Sequence, residues 1–555
     1  MNSQILYYFK EKSRFFIALS TLSSWALVAF GQPSWSPLFG TLTSLFGFAL
    51  FWAGLFQVNS RKHRFYLAAL WFMAVEAIHL SWMMSTEYQG SYIYLLYAIL
   101  LVGEGAQFAL LSLFLTKKKA LPLSKILFLS GFWVWMEWLR LFFMSGFLFN
   151  PVGLSLSSSL YGKQWTSIGG IYFLSFWVIM TNLLLLKCIF SPKKWKHLGL
   201  FSLIALTPYF YGAFQVHYHG PKMDAYPEHF NALLVQTALT PEEKTGMNGF
   251  DKMMPPLQQW SAIFNYLAPY KSHPVDLIVF PERTVPFADR TPLYPIEYVE
   301  QVVQHFFGEK GIEQLSSYQD EREIVDNLFL SQFLSDYFRA QVIVGLEYLV
   351  DETEENFTAF SSAFSFRPQE APEMYHKRVL LPIVEYLPFK WCVDVAKKYH
   401  IFGWYQRGTE NKVFSGDLAI SPNICIEELY GPLMRKNRLL GSQVFVNITN
   451  DVWFPNSKLP RQHYDHGLLR SVENGVPALR SCNTGVTAAV DALGREVGCF
   501  NTNPKTSQWK RGALFVSLSK YNFKTPYLIF GEIAILLVSL VMILIPVLKK
   551  VKVKF

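Results

Sequence analysis

Charge is what this sequence has least of. Only 16% of its 555 residues are Asp, Glu, Lys or Arg, whereas an average soluble protein carries about 25%. Aromatic residues reach 17%. A chain so poor in charge and so rich in rings is not expected to lie wholly in water. Cysteine is also scarce. Five cysteines are too few for a disulfide scaffold, and no Cys-x-x-Cys or Cys/His ligand spacing occurs. His463 and His466 have no third ligand beside them, so no metal is expected, and no cofactor either. There is no internal repeat and no low-complexity segment. The net charge of +9 would suit a nucleic-acid partner in a soluble protein. In a membrane protein it reflects basic loops, and no nucleic-acid partner is expected.

What is abundant is long apolar sequence. Spans are predicted near 15–31, 38–57, 65–84, 91–115, 126–148, 167–190, 198–214 and 527–548. Several approach the ~20 apolar residues that cross a bilayer. The loops test that count. Basic residues cluster before the first span (Lys10, Lys12, Arg14), after the second (Arg61, Lys62, Arg64) and after the fourth (Lys117, Lys118, Lys119). They recur after the sixth (Lys193, Lys194, Lys196) and after the last (Lys549, Lys550, Lys552, Lys554). The short loops between carry almost none, with only Lys163 in 149–166. Every second loop is basic, which matches eight spans with both termini cytoplasmic. The expected organisation is a membrane domain over 1–214, a periplasmic domain over 215–526, and a last span with a basic cytoplasmic tail over 527–555. The expected location is a bacterial inner membrane. The first span lacks a small-residue cleavage site and reads as a retained helix.

Between the membrane blocks, residues 228–520 alternate short apolar runs with helical patterns. The runs "HFNALLVQT", "VDLIVFPE", "AQVIVGLEYL", "FTAFSSAFSF", "GDLAISPNIC", "SQVFVNIT", "PALRSCN" and "GVTAAVDALG" read as buried strands. The stretches 252–269 and 461–475 read as helices. This pattern predicts an α/β sandwich with buried sheets. "DALG" at 491–494 predicts a hairpin turn. The charged stretch 288–340 reads as an insertion over one face.

Three strand ends carry ionisable groups. "LIVFPERTVPF" places Glu282 after a strand and a proline; "EMYHKRVLLPIVEYLPF" carries Lys377 and Glu385; "LAISPNICIEELYG" carries Cys425 and Glu427. Polar groups at the ends of buried strands are placed to converge. A cysteine thiol is mostly protonated at neutral pH and needs a base to become a nucleophile. Glu282 could take its proton, and Lys377 could favour the thiolate and the oxyanion formed by attack on a carbonyl. Glu385 would orient the lysine or relay protons, and Glu427 would support the site. If Cys425 begins a helix, backbone N–H groups add donors there.

The Glu, Lys and Cys motifs resemble those of the nitrilase superfamily. With "FVNITNDVWF" (445–454), "RQHYDHGLLRSVENGVPALRSCNTGVTAAVDALGRE" (461–496) and the eight-span frame, the chain resembles the bacterial apolipoprotein N-acyltransferases. The resemblance implies an αββα sandwich and a Glu282–Lys377–Cys425 catalytic set. It implies ping-pong chemistry through a thioacyl-enzyme. The implied donor is a phospholipid, phosphatidylethanolamine or one like it, and the implied acceptor is the α-amino group of a diacylated apolipoprotein. Departures from the usual motifs fall at Phe280, at Val384 (usually glycine), at Ile426, at Pro455 and at Ser361 (usually asparagine).

Other residues leave choices open. Asn450–Asp451 with Trp453–Phe454 is either a simple turn or a substrate loop whose aromatics touch lipid. Glu137 and Arg140, three apart in one span, read as an intrahelical pair; Glu76 and His79 share that spacing, and Glu104 has no evident partner. Cys188 reads as packing, and Cys392, Cys482 and Cys499 as unpaired core thiols. Two other functions fit parts of the sequence: a membrane-tethered amide hydrolase with water as acceptor, and a non-enzymatic transporter or lipid-binding protein.

Overall fold

The protein is described here by a computed structural model covering residues 3–33, 35–115, 121–143, 146–247, 249–318, 323–353, 356–398, 405–500 and 509–552. The basic run at 117–119 and the tail beyond 552 fall outside these residues. The chain forms two compact units. One comprises the residues up to Tyr218, Phe454–Glu473 and those from Thr525 onward; the other comprises His219–Trp453 and Asn474–Lys524.

A helix occupies each apolar stretch: Ser3–Ala29, Pro37–Leu55, Arg61–His79, Tyr92–Leu113, Leu123–Leu139, Thr166–Phe190, Lys194–Asp224, whose last residues belong to the second unit, and Pro526–Lys552. Among the described residues, five helical segments are long and apolar enough to cross a membrane: Pro37–Leu55, Tyr92–Leu113, Gly162–Phe190, Lys194–Asp224 and Pro526–Ile545. The segment Pro37–Leu55 contains a π-turn at Thr43–Gly47. Asn182 braces it by accepting from the Ala49 N–H at 3.0 Å and donating to the Ser44 carbonyl at 2.9 Å. Rings fill the interior, with Phe108 stacked on both Trp52 and Phe72.

Three sequence expectations change here. Arg140 does not pair with Glu137 three residues away; it reaches across to Glu104 on the Tyr92–Leu113 helix at 2.5 Å. Glu137 instead accepts from the Trp133 indole N–H at 2.7 Å and the Val152 N–H at 2.9 Å. The helix predicted to end near 214 runs on to Asp224, through Gly220 and Pro221. Phe454–Glu473 groups with the first unit, although it lies inside the stretch assigned to the soluble domain. Gln462 and His466 there each bond the Phe149 carbonyl, at 3.0 and 3.1 Å.

The second unit holds two sheets. Its strands are β1 (His229–Gln236), β2 (Leu277–Val279), β3 (Tyr294–Pro295), β4 (Ile324–Val325), β5 (Gln341–Thr353), β6 (Asn356–Phe366), β7 (Glu373–His376), β8 (Ile420–Ile424), β9 (Val444–Thr449), β10 (Ala478–Cys482), β11 (Ala488–Val490), β12 (Glu496–Cys499) and β13 (Gly512–Ser519). One sheet runs β13-β1-β2-β5-β6-β7 and the other β12-β11-β10-β9-β8, with β3 and β4 forming a separate ribbon. β1, β2 and β5 are parallel to one another, as are β8, β9 and β10. β11 and β12 form the hairpin predicted around "DALG".

Side-chain alternation explains the layers. Ala232 and Leu234 of β1 join Val444, Val446 and Ile448 of β9 in a core between the sheets. Leu233 and Val235, one residue out of phase, face a second core built with Trp260, Phe264, Val299, Val303, Phe307, Phe333 and Leu334. Those residues come from helices Pro256–Leu267, Ile296–Ser316 and Asn327–Phe338. Residues 288–340 are therefore an outer helical layer of the sandwich, not an insertion laid over it. Their charge reflects the opposite, solvent-facing side of the same helices. On the far sheet, Met434 of helix Gly431–Leu439 packs against Phe445 and Val476, which completes the αββα order.

None of the five cysteines, all among the described residues, is joined in a disulfide. Cys482 is in the core, but Cys392 and Cys499 are only half-buried.

Candidate active site

β1, β2, β8, β9 and β10 all deliver polar residues just past their C-terminal ends, which is where parallel strands gather a site. After β2 the chain keeps bonding to β5, with Phe280 N–H donating to Ile343 O and Thr284 N–H to Gly345 O, both at 2.8 Å. Between those bonds Arg283 adopts φ +46°, and the chain bulges toward the site at Glu282. The bulge rests on Gly345. A Cβ there would lie 2.5 Å from the Pro281 carbonyl oxygen and 2.7 Å from the Glu282 Cα, so only glycine lets the turn come so close.

Lys377 directly follows β7 and is 1% exposed. Its Nζ donates to Glu282 Oε1 at 2.9 Å and to Glu385 Oε1 at 2.7 Å. Burial works against the ammonium, but the Glu282 and Glu385 carboxylates outweigh it, and its pKa stands well above the ordinary lysine value. Glu385 is presented by a tight turn. Its N–H donates to Leu381 O at 2.9 Å, and its Oε2 accepts from the Leu381 N–H at 2.8 Å. Within the turn Ile383 is held at φ +72°, a strained state for a β-branched residue, while Val384 is exposed. Ser361, at the position of the usual asparagine, lies with its Oγ 3.4 Å from Glu282 Oε1. Among the described residues, Glu282 Oε2 accepts no hydrogen bond.

Cys425 leaves β8 at φ +53° and opens a 3₁₀ turn, Cys425–Leu429. A non-glycine residue held in the left-handed region at a strand end is typical of a functional strain site. Burial pushes the thiol up to about 12; the Glu282 carboxylate adds to this and the Lys377 ammonium opposes it. The resting sulfur is thus a protonated thiol beside a base and a fixed cation.

Glu427 has a different task. It accepts from the N–H groups of Ile424 (2.8 Å), Arg378 (2.7 Å) and Val379 (3.1 Å) and from the Tyr375 hydroxyl (2.8 Å). Tyr375 and Arg378 flank Lys377, and Ile424 precedes Cys425. One carboxylate therefore ties the lysine segment of one sheet to the cysteine turn of the other. Burial raises its pKa, and these donors offset part of that cost.

Behind the turn lies a buried network that the sequence did not reveal. Asn447 donates to Cys425 O at 3.0 Å and to Asn423 Oδ1 at 2.6 Å. Arg480 pairs with Glu428 and, at 3.0 Å, with Asp451. Asn450 accepts from the Asn483 amide at 2.9 Å. Asn450 and Asp451 thus serve as anchors for the turn. Trp453 is half-buried; Phe454 meets the Trp82 ring edge-on at 4.8 Å, both lying in the first unit. Ile426 and Pro455 are buried.

The sequence had flagged Glu282, Lys377, Cys425, Glu385 and Glu427, and the fold brings these five together. It had no signal for Asn447 or Arg480, whose polar side chains sit on strands that read simply as buried, nor for Lys244, which sits in "TPEEKTG" and looks like a solvated helix cap.

Residues 16–184 match the apolipoprotein N-acyltransferase N-terminal domain family, and residues 248–517 match the carbon-nitrogen hydrolase family. The apolipoprotein N-acyltransferase of Chlamydia caviae is 32% identical, with 95% of this chain and 96% of that protein covered. The same-named protein of Chlamydia pneumoniae is 31% identical, with 93% and 94% covered. Among solved structures, an amidase of the nitrilase superfamily from Nesterenkonia AN1 covers 53% of this chain and 93% of its own, at 15% identity and a TM-score of 0.32. The chain belongs to the apolipoprotein N-acyltransferase family.

Proposed function

We propose that this protein moves an acyl chain from a membrane phospholipid, phosphatidylethanolamine or one like it, to the α-amino group of a diacylated apolipoprotein through a thioester on Cys425. The observation that carries the reading is the buried Lys377 ammonium, held between the Glu282 and Glu385 carboxylates beside the strained Cys425 turn. Glu282 Oε2 takes the thiol proton as the sulfur attacks the ester carbonyl carbon. Lys377 stabilises the oxyanion, a contribution on the order of a few kcal/mol. The ester C–O bond breaks, and Glu282 returns the proton to the lysophospholipid oxygen. In the second half the acceptor nitrogen attacks the thioester, the C–S bond breaks, and a nitrogen proton passes through Glu282 to the sulfur. Glu385 holds Lys377 in place, and Glu427 positions the lysine and cysteine segments.

Eight membrane-spanning helices in a bacterial inner membrane, with the catalytic unit in the periplasm, complete the proposal. The alternation of basic loops supports that orientation. Trp453 and Phe454 form part of a substrate loop in this reading.

The test uses full-length protein and phosphatidylethanolamine labelled in its acyl chain. Labelled thioester on Cys425 is expected, followed by transfer to the amine of an added diacylated lipopeptide. Release of the label as free fatty acid would replace the transferase reading with a hydrolase one. Absence of labelling under conditions where lipid binds would remove the enzymatic reading altogether.

A further inference from the structure

The mechanism leaves one proton unassigned. The α-amino group of a peptide has a pKa of about 7.7–8.0, so at neutral pH the acceptor arrives largely as an ammonium. It must lose two protons to become an amide nitrogen. Glu282 passes one of them to the departing sulfur. The other needs a base that the site does not otherwise use. Lys377 cannot serve, because its two carboxylates keep it charged.

Lys244 meets the requirement. It is 4% exposed, and its Nζ is buried without a hydrogen-bond partner among the described residues. Leaving a buried amine unpartnered is costly, and a protein that keeps one in a fixed place invites a functional reason. The place is fixed with care. Lys244 lies on the short helix Pro241–Thr245, whose start is closed by a reciprocal Thr240–Glu243 capping box and whose end turns at Gly246 with φ +68°. Gln259, itself buried, donates to the carbonyls of Lys244 (3.1 Å) and Met254 (2.9 Å). Glu243 is tied outward to Arg511 at 2.8 Å.

Topology sends the amine and the base out past the same end of neighbouring strands. β1 and β2 are parallel neighbours and leave the sheet at the same edge. Lys244 follows the end of the first, and Glu282 the end of the second. The charged groups acting on Lys244 are Arg283, which repels its charge, and Glu282, which attracts it. Arg283 is itself occupied, 3.0 Å from Glu347. Burial first, then Arg283, brings the lysine down to about 7, with Glu282 opposing.

We propose that Lys244 is an auxiliary base that acts through Glu282, taking the extra proton of the acceptor's ammonium before the nitrogen attacks the thioester. Glu282 first accepts that proton and passes it through one intervening water to the Lys244 amine, returning to a carboxylate. The free amine then attacks: the C–N bond forms, the C–S bond breaks, and the second proton travels through Glu282 to Cys425. Lys244 gives up its proton to water after the product leaves. The inference rests on the transferase reading above.

The test separates the two half-reactions in full-length protein. Lys244→Met keeps the length of the side chain and removes its base. It is expected to form the phospholipid-derived thioester, to at least a third of the wild-type extent, which also shows that the site has folded. Single-turnover transfer to a diacylated lipopeptide at pH 7 should fall 10- to 100-fold, and the deficit should close by pH 9, where the acceptor arrives as free amine. Transfer to hydroxylamine, uncharged at neutral pH, should stay within about threefold of wild type. Lys244→Arg, charged at every pH, should show the same deficit at pH 7. A deficit that persists at pH 9 or extends to hydroxylamine, no deficit with lipopeptide at pH 7, or rescue by arginine would each overturn the role. If wild type itself forms no thioester, the transferase reading fails and this inference fails with it.

Discussion

The sharpest mutational consequence of the site concerns a residue that transfers no proton. Glu427 satisfies three backbone N–H groups and one hydroxyl from inside the sandwich. In Glu427→Gln the shape is kept, but one oxygen must do the work of two. The amide nitrogen now faces donors where it needs acceptors, so at least two buried groups lose their partner. Each such loss costs about 1–3 kcal/mol. The carboxylate was already penalised by burial, so a total of about 2–4 kcal/mol is expected. That is a large part of the roughly 5–15 kcal/mol that holds a domain folded. At about 2–4 °C per kcal/mol, the apparent unfolding temperature should drop by about 5–15 °C. The rate should fall as well, because the tie between the lysine segment and the cysteine turn is gone. A misplacement of about 1 Å costs on the order of 100-fold. The assay is thioester formation from labelled phospholipid, well below the melting range, alongside thermal unfolding. The shape of the pH profile should not change, because Glu427 passes no proton. A variant with wild-type rate and unchanged unfolding would refute the clamp. A variant stable as wild type but with a displaced pH profile would show Glu427 to be part of the proton path.

Two further outcomes follow from the same geometry. Gly345→Ala forces a Cβ against the backbone of Pro281 and Glu282, so the bulge must shift; thioester formation should drop by about 100-fold while the sheet remains folded, as measured by single-turnover labelling and circular dichroism. The Cys425 pKa is raised, so its thiolate appears only as pH climbs toward about 12, and stability tied to the neutral thiol is lost over that upper range. Iodoacetamide should therefore label Cys425 at pH 8 roughly 100-fold more slowly than an exposed cysteine, with a rate still rising at pH 10; a plateau near pH 8.5 would contradict the burial argument.

The sequence carried much of this arrangement because strand ends are legible. Glu282 and Cys425 stood out as polar residues closing apolar runs, and the strands behind them formed where expected. What stayed hidden depended on distant partners. Arg140 was matched to Glu137 because three residues is a helical neighbour distance, but its partner Glu104 lies on another helix. β13 was missed because its pairing strand, β1, lies far back in the chain. The stripe Val299, Val303 and Phe307 was present in 288–340, yet charged neighbours on the opposite face masked it as a core-facing signal. The role of Glu427 needed two sheets brought face to face, which no local pattern encodes.

The order in which the chain supplies its helices has a consequence for synthesis. Gly131 on the Leu123–Leu139 helix sits so close to Ser539 that an added Cβ would meet the Ser539 carbonyl oxygen at 2.9 Å, and the Trp135 indole donates to the Leu536 carbonyl at 3.2 Å. Both partners belong to the final helix. The ribosome has to reach that helix before the seam can zip shut, so the earlier helices wait with a vacant groove. A premature stop just ahead of Pro526 would therefore cripple the bundle itself, not merely clip off a tether.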